Sequence, residues 1–424
     1  MLCLPHNEQM GRNVLKIGKR TIVAGLCIAS VLSIATAFPA LAEKKYSRGA
    51  SDTEIVVGNF VPYSGPASAY GVVGKTAAAY FRMINEQGGV NGRKIRFLSY
   101  DDAYSPPKAV EQTRKLVESD GILALFGTVG TPSNTAIMKY MNAKKTPHLL
   151  LASGGTRFGD DPAQFPWTMP FNASYNSEGR AYAKLIKTRY PNAKIGVLVQ
   201  NDDYGKDIYK GVKDGLGDRT SMIVAEAHYD LSDATVDSQM VKLKASGADL
   251  FLNLSTPKFA AQAMRKLGEM KWRPVHILNN VAAQVGAVII PAGIENAQGA
   301  ITATYIKDPT DPAFVNDADM KAFRAFMAKY MPEGDLNNSL YAYGYAISSA
   351  LVHLLKEAGD NLTHENVMTV ATSMKGYKAD LLYEGIAMTT SPTDHFPVED
   401  LQMMVFKGDR WVPEGGIINS RDNR

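Results

Sequence analysis

Three short stretches of this 424-residue sequence concentrate groups that can hold an anion. They are Ser64-Gly65-Pro66-Ala67-Ser68-Ala69-Tyr70-Gly71, Gly127-Thr128-Val129-Gly130-Thr131-Pro132-Ser133 and Ser153-Gly154-Gly155-Thr156. Glycine lets the backbone approach a ligand closely. Hydroxyls and free amides at the start of a helix can hold a carboxylate, helped by the helix dipole. The same residues also serve as caps and turns, so one such loop implies little. Three of them, each following an apolar run, imply a binding surface.

Catalysis finds no comparable set. No H-E-x-x-H, G-x-S-x-G or G-x-G-x-x-G occurs. Gly74-Lys75-Thr76 resembles the end of a phosphate loop, but Ala69 stands where that motif needs glycine. His148, His228, His276, His353, His364 and His395 are scattered, with no metal-ligand spacing. Asp101-Asp102 reads as turn or capping chemistry rather than an acid/base pair. The expectation is a binding protein that is not an enzyme and needs no metal or cofactor.

The elements that position these loops follow from periodicity. Apolar runs at 54–60, 94–100, 122–127 and 148–152 alternate with helical patterns at 74–86, 107–119 and 132–143. That βαβ alternation predicts a parallel sheet covered by helices. The pattern restarts with helices at 174–190, 204–216, 236–245 and 257–269, and strands at 194–199, 221–229, 249–254 and 275–278. Two doubly wound α/β lobes are therefore expected. Beyond residue 300 the chain is mostly helical (318–330, 340–356, 365–372) before a last strand at 401–406 and a Lys407-Gly408-Asp409-Arg410 turn. In such sheets, ligands sit beyond the C-terminal ends of the strands, where the three loops fall.

The first 42 residues read as an export leader. Arg12, Lys16, Lys19 and Arg20 precede an uncharged run at 21–37, and Ala40-Leu41-Ala42 supplies a small-x-small cleavage pattern. The run is short for a bilayer-spanning helix, and Leu26 does not suit lipidation of Cys27. Cys3 and Cys27, the two cysteines, lie in this leader, so the mature chain relies on its core rather than on disulfides. The net charge of +4 owes four of its basic groups and one acid to the leader. What remains is nearly balanced, which argues against nucleic acid as a partner. A monomer in the periplasm is expected.

Taken together, SGPASAYG (64–71), INEQGGVNGRKI (84–95), YDDAYSPPKAVEQTRKLV (100–117) and NDDYGK (201–206) resemble the leucine/isoleucine/valine-binding family of periplasmic solute-binding proteins. The resemblance extends from about Ser51 to about Val412. It implies two Rossmann-like lobes joined by three crossover segments, one at 51–172 plus 303–386 and the other at 173–302 plus 387–424. It also implies closure on a small-molecule ligand and delivery to an ABC transporter permease in the inner membrane. A sensory ectodomain would use the same trap.

The family's site carries over onto Tyr70, Thr131, Gly154, Gly155, Thr156 and Tyr204. Two positions depart from the amino-acid binders. Ser255 stands where they place a tyrosine, and Asn279-Asn280 stands where an acid would pair with the ligand ammonium. A buried ammonium without a carboxylate is unfavourable, and asparagine supplies an acceptor but no charge. The resemblance therefore implies an amino acid or related small carboxylate near Ser255 and Asn280, with an aromatic acid as the alternative. Tyr70, Tyr204 and Tyr341 are then candidates for stacking on its ring.

Overall fold

The computed structural model describes residues 44–419, and the segment read as an export leader lies outside them. After a two-residue strand β1 (Lys45–Tyr46), the chain runs through β2 (Glu54–Val61), α1 (Gly71–Glu86), β3 (Lys94–Asp101), α2 (Pro106–Arg114), β4 (Ala124–Phe126), α3 (Thr131–Lys144), β5 (His148–Leu151) and β6 (Thr168–Pro170). The last five of these strands form an all-parallel sheet in the order β3-β2-β4-β5-β6. β2 and β5 are buried along nearly their whole length. Their near-continuous apolar sequence is what a parallel strand covered on both faces requires.

A second sheet follows, threaded by α4 (Tyr175–Arg189), β7 (Ile195–Gln200), α5 (Asp203–Leu216), β8 (Ile223–Tyr229), α6 (Asp237–Ala245), β9 (Leu250–Leu254), α7 (Pro257–Glu269), β10 (Val275–Leu278), the single turn α8 (Ile290–Ala292) and β11 (Ile301–Thr304). The chain then adds α9 (Ala318–Tyr330), α10 (Leu340–Ala358), β12 (Asn361–Leu362) and α11 (His364–Ala371). α9 and α10 pack on α1, and β12 pairs with β1, so this stretch rejoins the first lobe. β13 (Asp400–Lys407) and β14 (Arg410–Asn419) return to complete the order β14-β13-β11-β10-β9-β7-β8.

The result is two doubly wound lobes. The chain crosses between them after β6, after β11 and before β13. Besides the two-residue β1 and β12, three strands lie beyond what periodicity indicates. β6 is three residues long and ends on Pro170. β11 has four residues, too few to show a period, after a turn at Gly299. β14 carries Pro413, Gly415 and Gly416 around a register shift against Gln402 and Met404. Such residues discourage a strand interior but are tolerated at a sheet edge.

Strand order reverses at β2 in the first sheet and at β7 in the second. The crevice at such a switch point, beyond the strands' C-terminal ends, is the natural place for a ligand. The loops leaving β2 and β4 face those leaving β7 and β9.

Candidate binding site between the lobes

α3 begins at this crevice. Gly130, its N-cap, sits at φ 106°. That conformation suits glycine, and a Cβ there would come within 2.9 Å of the Tyr104 ring. Thr131 follows as the first helical residue. Its Oγ1 lies 2.8 Å from Ser153 Oγ. The first N–H groups of a helix have no carbonyl within it to receive them, so this end offers donors and a positive dipole end.

Opposite, Asp202 caps α5 by accepting the Tyr204 and Gly205 N–H groups at 3.0 and 3.1 Å. That cap seats Tyr204 at the start of α5, its ring edge-on to Tyr175 at 5.1 Å between centroids. The pair Asp202-Asp203 therefore serves the helix: Asp203 faces Arg157 at 3.6 Å.

A cavity of about 110 Å³ lies between these loops. Its walls are strongly aromatic: Tyr70, Tyr104, Tyr175, Tyr204, Tyr305, Tyr343, Tyr383 and Trp411 all line it. Among the described residues no lysine or arginine does, and the one carboxylate among them is Asp308, whose Oδ1 accepts from Thr310 N and Oγ1 at 2.9 and 2.8 Å. Burial pushes the phenols of Tyr70, Tyr104, Tyr204, Tyr305 and Tyr343 well above their ordinary range, so they act as neutral donors. Tyr70 Oη donates to the Val281 carbonyl at 3.1 Å, and Tyr343 Oη to Asn172 Oδ1 at 2.6 Å.

Two buried acids stand behind the walls. Glu178 accepts the Tyr182 hydroxyl at 2.7 Å and the Asn280 N–H at 2.8 Å, and burial pushes it up to about 7. Asp102 accepts from Ser133 Oγ at 2.6 Å and Tyr104 N at 3.1 Å, and burial pushes it up to about 6. Each fixes a residue that meets the cavity.

Of the residues singled out from sequence, Tyr70, Thr131, Tyr204 and Asn280 line this one cavity. Gly154, Gly155, Thr156 and Ser255 do not. A Cβ on Gly154 would overlap the Ala173 carbonyl and press on Tyr175, and one on Gly155 would meet Phe158 and Thr131. These glycines let other residues pack toward the site. The Thr156 N–H donates across the cleft to Asp207 Oδ2 at 2.7 Å, and its Oγ1 lies 3.1 Å from Ser174 Oγ. Ser255 is fully buried behind Tyr204, its carbonyl accepting from Asn279 Nδ2 at 2.8 Å. Tyr341 is displaced as a stacking candidate by Tyr343, two residues on and on nearly the opposite face of α10, while Tyr341 lies against Gly334. Tyr305, Tyr383 and Asp308 sit in or beside crossovers that lack periodicity, whereas Tyr175 opens α4 and Trp411 stands near the start of β14, where the elements' edges are legible but their facing the cavity is not.

Residues 54–410 match the family model described as periplasmic binding protein. The chain belongs to that family. Relatives of the leucine/isoleucine/valine-binding type include Leu/Ile/Val-binding protein homolog 1 of Brucella abortus, 23% identical over 366 residues, which span 84% of this chain and 88% of that protein. A branched chain amino acid ABC transporter structure from Thermus thermophilus with bound valine superposes with a TM-score of 0.77 at 17% identity, covering 87% of this chain and 97% of that one. A fatty acid ABC transporter substrate-binding protein from Thermomonospora curvata gives 0.74 at 19% identity, covering 90% and 96%. These structures establish the shared fold. This periplasmic binding protein and its relatives are solute-binding proteins, not enzymes. No helix among the described residues is long and apolar enough to cross a membrane.

Proposed function

We propose that this protein is the exported substrate-binding component of an ABC-type importer for a small carboxylate, with a ring or other neutral body favoured over an α-amino acid. The observation that carries this reading is the α3 N-terminus, with Gly130 and Thr131, opening into a tyrosine-walled cavity that has no lysine or arginine. Helix amides and a hydroxyl can hold one carboxylate there without a partner cation. The aromatic walls suit a flat apolar body. The leader at 1–42 would deliver the protein to the periplasm, and the crossovers near Phe171, Thr302 and Ala387 would serve as the hinge between lobes with the limits given above. An inner-membrane permease would then receive the closed, loaded form.

The second reading, an α-amino acid, is favoured by Asp308 at the cavity wall. It is weakened because burial raises the Asp308 carboxyl above its ordinary range, which disfavours the charge an ammonium would need. A thermal-shift screen of the mature protein against leucine, valine, benzoate and phenylpropanoate separates the two. A ligand that binds only the folded protein raises the melting temperature by mass action. The proposal expects the ring acids to stabilise and leucine to leave the melt unmoved. Strong stabilisation by leucine alone rejects the ring-acid preference, and no response to any carboxylate rejects the anion site. In either case, Thr131→Val should weaken whichever acid binds by about fivefold, the loss of one hydrogen bond.

A further inference from the structure

The cavity has two chemically different ends. One is the α3 N-terminus. The other lies against β11 and the β13–β14 hairpin, where Ala283, Ile306, Tyr383, Met404 and Trp411 line it. Met404 pairs with Thr302 across β11 and β13, and Trp411 Nε1 donates to the Ala283 carbonyl at 2.7 Å, which fixes the indole as a wall. Both side chains are almost wholly buried. Two acceptors stand beside this apolar surface. Gln284 donates through Nε2 to the Val281 carbonyl at 3.0 Å, but its buried Oε1 has no partner within the protein. The Asp308 carboxylate lines the same cavity.

We propose that the hairpin end is the specificity chamber: it receives the far end of the ligand, which is therefore a carboxylate whose apolar body is longer than a branched-chain side chain and ends in a hydrogen-bond donor. This rests on the reading that the ligand's anion sits at α3. An apolar wall strengthens binding only for a ligand long enough to cover it. A buried acceptor left unpaired in the closed trap disfavours a ligand that offers it nothing, so Gln284 selects for a hydroxyl or amine at that end.

The test is calorimetric titration with benzoate, phenylpropanoate and para-hydroxyphenylpropanoate, together with tryptophan fluorescence. The sequence has three tryptophans, and of these Trp411 alone lines the cavity. Ala283→Leu should fill the chamber and lower the ratio of affinities for phenylpropanoate over benzoate by about tenfold. Ile306→Phe is the second filling variant, used if the first melts well below wild type. Gln284→Leu should abolish the preference for the hydroxylated acid over its unsubstituted analogue. The phenylpropanoates should change the fluorescence of the wild type and not that of a Trp411→Phe variant that still binds them. If folded filling variants keep the wild-type ratio, or the fluorescence response survives in Trp411→Phe, the chamber is overturned while the α3 anion site stands. If no acid of any length binds, both fall.

Discussion

The Tyr70 hydroxyl reaches across the cleft to the Val281 carbonyl, so its bond exists only when the lobes are closed. Tyr70→Phe keeps the ring as cavity wall and removes that bond. A neutral hydrogen bond is worth about 1 kcal/mol net, so ligand affinity should fall about fivefold, read by calorimetry, with the ligand-free melt nearly unchanged. A larger fall in the ligand-free melt would mean that the bond holds the unliganded fold together instead. Glu178 makes a different prediction. Its carboxyl is pushed from 4.5 up to about 7 by burial. Between those pH values the unfolded chain has released this proton while the native chain keeps it. Stability from this group is therefore complete below about pH 4.5, falls as pH rises through about 7, and then levels off. The full change is on the order of 3 kcal/mol. Glu178→Gln keeps an oxygen for Tyr182 and Asn280 and has nothing to titrate. Thermal melts of the variant should lose this part of the pH slope, and an unchanged slope would assign it to another group.

At the scale of elements, the helices that carry site residues are legible because their start signals are local. Asp202 before α5 and Pro132 at the start of α3 both announce a helix in sequence. The strands buried on both faces announce themselves as unbroken apolar runs. β14 is hidden for a local reason: its proline and paired glycines read as loop, although a two-residue turn pairs it directly with β13. The rest of what stays hidden depends on contacts made far away in sequence. Tyr305 and Tyr383 enter the cavity because their backbones bond to each other where the crossovers run side by side. Thr156 fits an anion site by motif, yet a carboxylate from the other lobe takes its N–H. The cap on α5 is testable at this same scale. Asp202→Ala leaves the Tyr204 and Gly205 amides without their acceptor, a loss typically near ~1 kcal/mol. The melting temperature should drop by about 1–2 °C, because the melting entropy grows with chain length. Ligand affinity should drop with it, because Tyr204 is held by that turn. A drop in stability alone would show that ring packing against Tyr175 is enough to place Tyr204.

For the molecule as a whole, the lobes meet through a few bonds that ring the cavity. Thr156 N–H reaches Asp207, Tyr70 reaches Val281, and Gly286 N–H donates to the Asn337 carbonyl at 2.7 Å. Each links groups far apart in sequence, and each breaks when the lobes separate. Asp207 touches no cavity surface, so it acts on ligand only through the balance of open and closed forms. In the closed form, burial raises its carboxyl above the ordinary range, with the Thr156 N–H opposing that rise. Its contribution to closure is therefore the difference between a charge-assisted bond and the cost of removing a carboxylate from water. Because the bond is short and comes from a backbone N–H that has no other partner across the cleft, the bond should win. Asp207→Ala should then shift the balance toward the open form. Only closed molecules hold ligand tightly, so apparent affinity falls in proportion to the closed fraction. A loss of about tenfold corresponds to about 1.4 kcal/mol, near the lower edge for a hydrogen bond to a charged group, as expected when desolvation offsets part of it. Because the ligand's own contacts are intact, the change should appear mainly as faster dissociation. Small-angle scattering should show a larger radius of gyration for the variant at a ligand concentration that closes the wild type. A variant that binds and compacts like the wild type would mean that desolvation cancels the bond, and closure would then rest on the other contacts across the cleft, Tyr70 with Val281, Gly286 with Asn337 and Arg157 with Asp203.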